Sequence, residues 1–170
     1  MIKFLIKYFN PIMQTKTLIL LALVFPLTPF AVQAEEQIRQ TQALWFGEIV
    51  ITDNQTPQTM ALDPNLGTVA DSGIVIMQSG RPGIFFFDGF ASNFLVNVSL
   101  EPASPITSHE LGNLSTPQFE LDPVLEVESF NTDINGQYEL RVFGSLTSSG
   151  TGDSYIDGIY YRPYRLLINY

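Results

Sequence analysis

The sequence predicts an all-β domain, an antiparallel β-sandwich, and three observations predict it. Seven or so short β-prone runs recur beyond residue 43, and clusters of Gly, Pro, Asn and Asp separate them. No stretch past residue 34 sustains the 3.6-residue apolar period of a helix. The run 93–100 is the clearest strand, because Phe94, Val96, Val98 and Leu100 alternate with Leu95, Asn97 and Ser99. Burying the first four contributes about 6–12 kcal/mol before chain entropy is set against it.

Fold reasoning begins at Glu35. Ahead of it lie Lys3, Lys7 and Lys16, an apolar run over 18–25, and Val32-Gln33-Ala34, with small residues where a signal peptidase cuts. That order predicts a cleavable secretory signal over 1–34. A transmembrane helix needs about 20 apolar residues, and Pro26, Thr28 and Pro29 break this run. Met13, just before Lys16 and the apolar run, is an alternative start of translation. The exported product is expected in the periplasm, at the cell surface or outside the cell, with no integral membrane segment.

After export, residues 35–43 form a short polar extension, predicted to stand mobile outside the sheets, and 44–170 form one domain. The first strand is predicted over 44–51, beginning Leu44-Trp45-Phe46-Gly47. Asn54, Pro57, Asp63-Pro64-Asn65, Gly67 and Gly73 mark a long turn region after it. Residues 73–77 read as a short strand closed by Gly80-Arg81-Pro82-Gly83, and 84–87 as another. Pro102 and Pro105 end the strand 93–100, and 102–123 reads as loop. Strands over 125–130 and 138–143 are predicted to form a hairpin through Asn135-Gly136, both of which tolerate positive φ. The chain closes with strands over 155–161 and 164–170, the latter aligning Tyr164, Leu166, Ile168 and Tyr170 on one face.

Charge and composition exclude several functions. All three lysines precede Glu35, so the exported chain carries five arginines against all 17 acidic residues, a formal charge of −12. Such a surface repels nucleic-acid phosphates and anionic lipid. There is no cysteine, which removes disulfides and thiolate metal sites.

No catalytic apparatus is legible, and no cofactor is called for. His109 is the one histidine, and the sequence places it in an exposed loop beside Ser108 and Glu110, where adjacency does not make a triad. Asn131-x-Asp133-x-Asn135-Gly136 has the alternate oxygen ligands of a calcium loop, but Val142 stands where the twelfth-position Glu belongs. A hairpin turn accounts for the same residues. Asn54, Asn97 and Asn113 fit the short glycosylation pattern. Trp45, Tyr160 and Tyr161 offer a sugar-stacking platform if exposed and a core if buried.

The order of motifs resembles a known family. Leu44-x-Phe46-Gly47, Phe85-x-Phe87, the strand 94–100, Leu125-x-Val127, Val142-Phe143-Gly144-x-Leu146 and Gly158-x-Tyr160 before a terminal Leu-Ile-Asn-Tyr are similar to the bacterial family catalogued as domain of unknown function 4402, over nearly all of the exported chain. The resemblance implies an immunoglobulin-like, pilin-like sandwich of about seven to nine strands in Gram-negative bacteria, with a fimbrial-like structural or adhesive role. It implies like subunits or a periplasmic chaperone as partners through edge strands, with Leu44, Phe46, Gly47, Gly158, Tyr164, Leu166, Ile168 and Tyr170 on the interacting segments. The extension 35–42 is short and polar, with Ile38 its one strong apolar residue, and so departs from a pilin donor strand. A monomeric binding module for carbohydrate or calcium, and a secreted hydrolase, are the competing readings.

Overall fold

The computed structural model describes residues 2–4, 35–101, 105–112 and 115–170. The predicted signal sequence over 1–34 lies outside these residues, apart from the short strand 2–4. Among the described residues the chain is all β, with fourteen strands and no helix. No helix is therefore long and apolar enough to cross a membrane.

The largest sheet joins β2 (Gln37–Gln42), β7 (Gly83–Asp88), β12 (Tyr138–Thr147), β4 (Thr59–Asp63) and β5 (Gly67–Ala70), with β10 (Glu120–Leu125) also paired to β12. A second runs β6 (Ile74–Arg81), β3 (Trp45–Ile51), β1 (Ile2–Phe4), β13 (Gly158–Tyr161) and β9 (Ser108–His109). The third is β11 (Ser129–Asn131), β8 (Leu95–Leu100) and β14 (Leu166–Asn169). Every pairing is antiparallel except that of β1 with β13.

All three sheets contribute to one apolar core. Leu140, Val142 and Leu146 of β12 meet Phe85 and Phe87 of β7, Phe46 and Ile49 of β3, Tyr160 of β13 and Val96 of β8 in a single buried cluster. Each such side chain contributes about 1.5–3 kcal/mol by leaving water. Aromatic rings fasten the sheets together: Phe87 meets Phe130 edge-on at 4.9 Å, Tyr138 stacks on Phe130 at 3.8 Å, and Phe85 meets Tyr164 at 6.2 Å.

The alternation over 94–100 holds, with Val96 and Val98 buried and Phe94 and Leu100 half-buried. Elsewhere the strands are more numerous than predicted. Gln37–Gln42 does not stand free: it pairs with β7, Arg39 lies over the Phe86 ring at 5.2 Å, and the Gln42 amide donates to the Pro82 carbonyl. Backbone pairing ordered a segment whose side chains gave no apolar signal. The turn region after residue 52 contains a hairpin, β4 to β5, with Met60 and Leu62 buried. Its turn is set by Asp63, whose carboxylate accepts from the backbone N–H of Asn65 and Leu66.

The predicted pairing of 125–130 with 138–143 through Asn135-Gly136 holds only at its start, where the Glu126 N–H donates to the Arg141 carbonyl. Ser129–Asn131 pairs with β8 in the third sheet, and β12 takes β10 as its antiparallel neighbour, Leu125 opposite Val142. The Asn-Gly turn therefore carries the chain from one sheet to another. Phe130 is buried between these sheets, and anchoring it there outweighs the local hairpin preference.

Candidate functional site

The second sheet is where the molecule departs from a closed fold. Among the described residues no pairing joins β3 to β13; β3 bonds β6 on one side, β13 bonds β9 on one side, and β1 stands between them. Neighbouring strands lie about 4.8 Å apart, so β3 and β13 bound a slot one strand wide. Its occupant is three residues long, with Ile2 opposite Ile49 and Gly158, Lys3 opposite Glu48 and Ile159, and Phe4 opposite Tyr160.

Glycines shape both walls. Gly47 sits at φ +99° beside the register shift at Glu48/Ile49, and a Cβ there would lie 2.1 Å from the Gln78 carbonyl oxygen. At Gly158 a Cβ would lie 2.3 Å from His109 Nε2. The missing side chain lets the imidazole pack beneath β13.

His109 is accordingly not an exposed loop residue. It is 1 % exposed, paired in β9 with Tyr160, and its ring meets the Tyr160 ring edge-on at 4.8 Å. Nδ1 accepts from the Leu111 N–H at 3.2 Å, and Nε2 lies 3.4 Å from the Asp157 carbonyl. Both nitrogens serve the backbone, which suits a histidine that holds a wall in place.

Among the described residues a cavity flanks each end of the slot. Beyond Ile49 lies one of about 390 Å³ bordered by Asp53, Asp153 and Asp157. Asn54, buried behind it, secures that rim: its side chain donates to Ser149 Oγ and the Asp153 carbonyl and accepts from the Gly150 N–H. The opposite end is a narrow apolar crevice lined by Leu44, Phe46, Leu121, Pro123, Arg162 and Tyr164. Arg162 and Tyr164 are each 8 % exposed, and among the described residues Arg162 Nε and the Tyr164 hydroxyl have no hydrogen-bond partner. Arg162 Nη1 donates to the Leu121 carbonyl. Burial alone raises the Tyr164 phenol above its usual range, and burial lowers the Arg162 guanidinium. Two buried donors without acceptors cost free energy on the order of 1–3 kcal/mol each.

The structure thus brings Leu44, Phe46, Gly47, Gly158 and Tyr164 together around one slot. Leu166 and Ile168 lie apart, in β14 against β8, and Tyr170 meets Phe90 and Phe94 edge-on near the N-terminal extension. Glu48, Arg162 and the acidic rim were missed by sequence reasoning. An arginine inside the aromatic run Tyr160-Tyr161-Arg162-Pro163-Tyr164 was the signal available.

The other candidates resolve differently. Asp133 turns its carboxylate inward on its own turn, accepting from the N–H groups of Asn135 and Gln137 at 2.8 Å, while Asn131 belongs to β11. No group of three metal-ligating side chains occurs among the described residues. Trp45, Tyr160 and Tyr161 do not form a platform: Tyr160 is buried, Tyr161 is exposed, and Trp45 is covered by the Arg81 guanidinium at 5.3 Å. Comparison with family models, curated proteins and solved structures gives no match.

Proposed function

We propose that the exported domain is a non-enzymatic surface subunit, structural or adhesive, with an immunoglobulin-like sandwich fold, that joins neighbouring polypeptides by β-strand addition. The observation that carries this reading is the strand-wide slot between β3 and β13, whose walls share no pairing of their own. Once export removes residues 1–34 and β1 with them, the sheet loses its middle strand and presents backbone donors and acceptors to any extended segment that fits, and main-chain bonds then supply much of the affinity. The resemblance to pilin-like subunits points the same way. Burial of the sole histidine in a wall-supporting position weighs against a histidine-based hydrolase.

Light scattering of the protein purified after export, with electron microscopy of the cells that make it, tests the reading. Linear polymers, or a stable complex with a periplasmic protein, are the expected result. A lone monomer from cells without surface fibres would overturn it.

A further inference from the structure

The slot carries more information than its width, because its two ends and its register differ in chemistry. We infer that it accepts one class of segment from a second polypeptide: an extended strand running antiparallel to β3 and parallel to β13, with large apolar residues opposite Ile49 and Tyr160, a basic residue opposite Glu48, and its N-terminal end toward Asp53, Asp153 and Asp157. This rests on the strand-addition reading and specifies its partner.

Direction and register come from β1. Ile2 pairs with Ile49 and Gly158, and Phe4 with Tyr160, so the positions of Ile2 and Phe4 share a face with Ile49 and Tyr160, both 0 % exposed. Apolar residues are required there. The intervening position falls opposite Glu48 and Ile159 on the outer face, and it is a lysine in this chain. Directly opposed charges of opposite sign stabilise a strand pair, and like charges weaken it.

The ends fix the polarity. A strand continued N-terminally from Ile2 runs alongside 50–53 and 153–157, into the acidic cavity, where an amino terminus or a basic residue is favoured over a carboxylate. Continued the other way, it reaches Arg162 and Tyr164. Backbone carbonyls arriving there would accept from Arg162 Nε and the Tyr164 hydroxyl, the two buried donors the domain itself leaves without partners. The first residues of the chain have the required alternation, Ile2, Phe4, Ile6 and Tyr8, with Lys3 and Lys7 between. A peptide of residues 1–8 is therefore a suitable probe. The acidic, lysine-free segment 35–42 of a second copy is a poor one.

The test uses the exported protein, its N-terminus fixed by mass spectrometry, titrated with fluorescent peptide 1–8 and followed by anisotropy and by amide exchange. The expected result is one peptide per domain, with new protection at Tyr160 and at the slot-facing amides of β3, while Ile159, whose N–H already donates to Glu110, stays unchanged. A Phe4→Asp peptide should not bind. A Lys3→Glu peptide should bind about tenfold more weakly, and a Glu48→Lys protein should recover that loss. Folded protein that ignores the peptide would overturn the inference, as would equal affinity for all three peptides or a purified protein that retains residues 1–34. Polymer formation without peptide binding would sink this inference and spare the subunit reading. Peptide binding by a protein that never assembles would do the reverse.

Discussion

The sheet built on β12 and the sheet built on β3 and β13 are held together in different ways. β12 is ten residues long, pairs with β7, β4 and β10, and carries Leu140, Val142 and Leu146 fully into the core. The other sheet is joined across its middle by three residues from the far N-terminus. One region is closed by the domain's own strands, and the other is completed from outside the segment 35–170. The first is complete without β1, whereas among the described residues the crevice at one end of the second holds two buried donors, Arg162 Nε and the Tyr164 hydroxyl, without partners.

The largest expected effect breaks the closed region. Phe87 is fully buried in β7 and its ring meets Phe90 and Phe130 at 6.0 and 4.9 Å. Phe87→Ala should cost about 3–5 kcal/mol, read as a lowered urea midpoint with an unchanged slope. Loss on that scale removes a large part of the 5–15 kcal/mol that a domain usually has. A cost under about 1 kcal/mol would show that this sheet is not the stabilising one.

Two buried tyrosines sharpen the contrast at a smaller scale. Tyr160 shares a hydrogen bond with Thr116 Oγ1 and donates to the Ile156 carbonyl, both at 3.0 Å, whereas the Tyr164 hydroxyl has no partner among the described residues. Tyr160→Phe strands two polar groups and should cost about 1–2 kcal/mol. Tyr164→Phe removes a buried donor that is already unsatisfied, so it should be neutral or stabilise by up to about 1 kcal/mol in the free domain. Parallel thermal melts of the two variants decide the matter. Equal losses would mean that Tyr164 is satisfied by a group of the domain.

These two regions were also unequally legible in the sequence. Alternation exposed the strand 93–100 because its core face and solvent face differ in polarity. Gln37–Gln42 escaped notice because an edge strand held by main-chain bonds needs little apolar content. The hairpin at Asn135-Gly136 was misassigned since turn chemistry fixes a reversal but not which sheet the strands join. His109 looked exposed among Thr, Ser and Glu, and only the glycine at 158, far along the chain, makes room for its ring. The segments 44–51 and 164–170 and Gly158 could be singled out, but that β3 and β13 face each other across the position of β1 depends on β3 pairing with β6 and β13 with β9. Pairings of that range leave no local signature.

The smallest effect belongs to the turn that links the third sheet to the closed one. The Asp133 carboxylate accepts from the Gln137 and Asn135 N–H groups, and the Gln137 bond leads in holding its pKa below the usual 3.8. A carboxyl whose folded pKa is depressed stabilises the fold above its unfolded value, and the contribution disappears as pH falls through the folded one. Asp133→Ala should therefore lower the melting temperature slightly at pH 7, and the gap between variant and parent should close below about pH 3.8. The side chain is fully exposed, so solvent screening keeps the effect well under those of Phe87 and Tyr160. Added calcium at millimolar concentration should leave the gap unchanged, since the turn's own N–H groups already occupy this carboxylate. A calcium-dependent rise in the parent alone would return the loop to metal binding and move the search for partners from the slot to the turn.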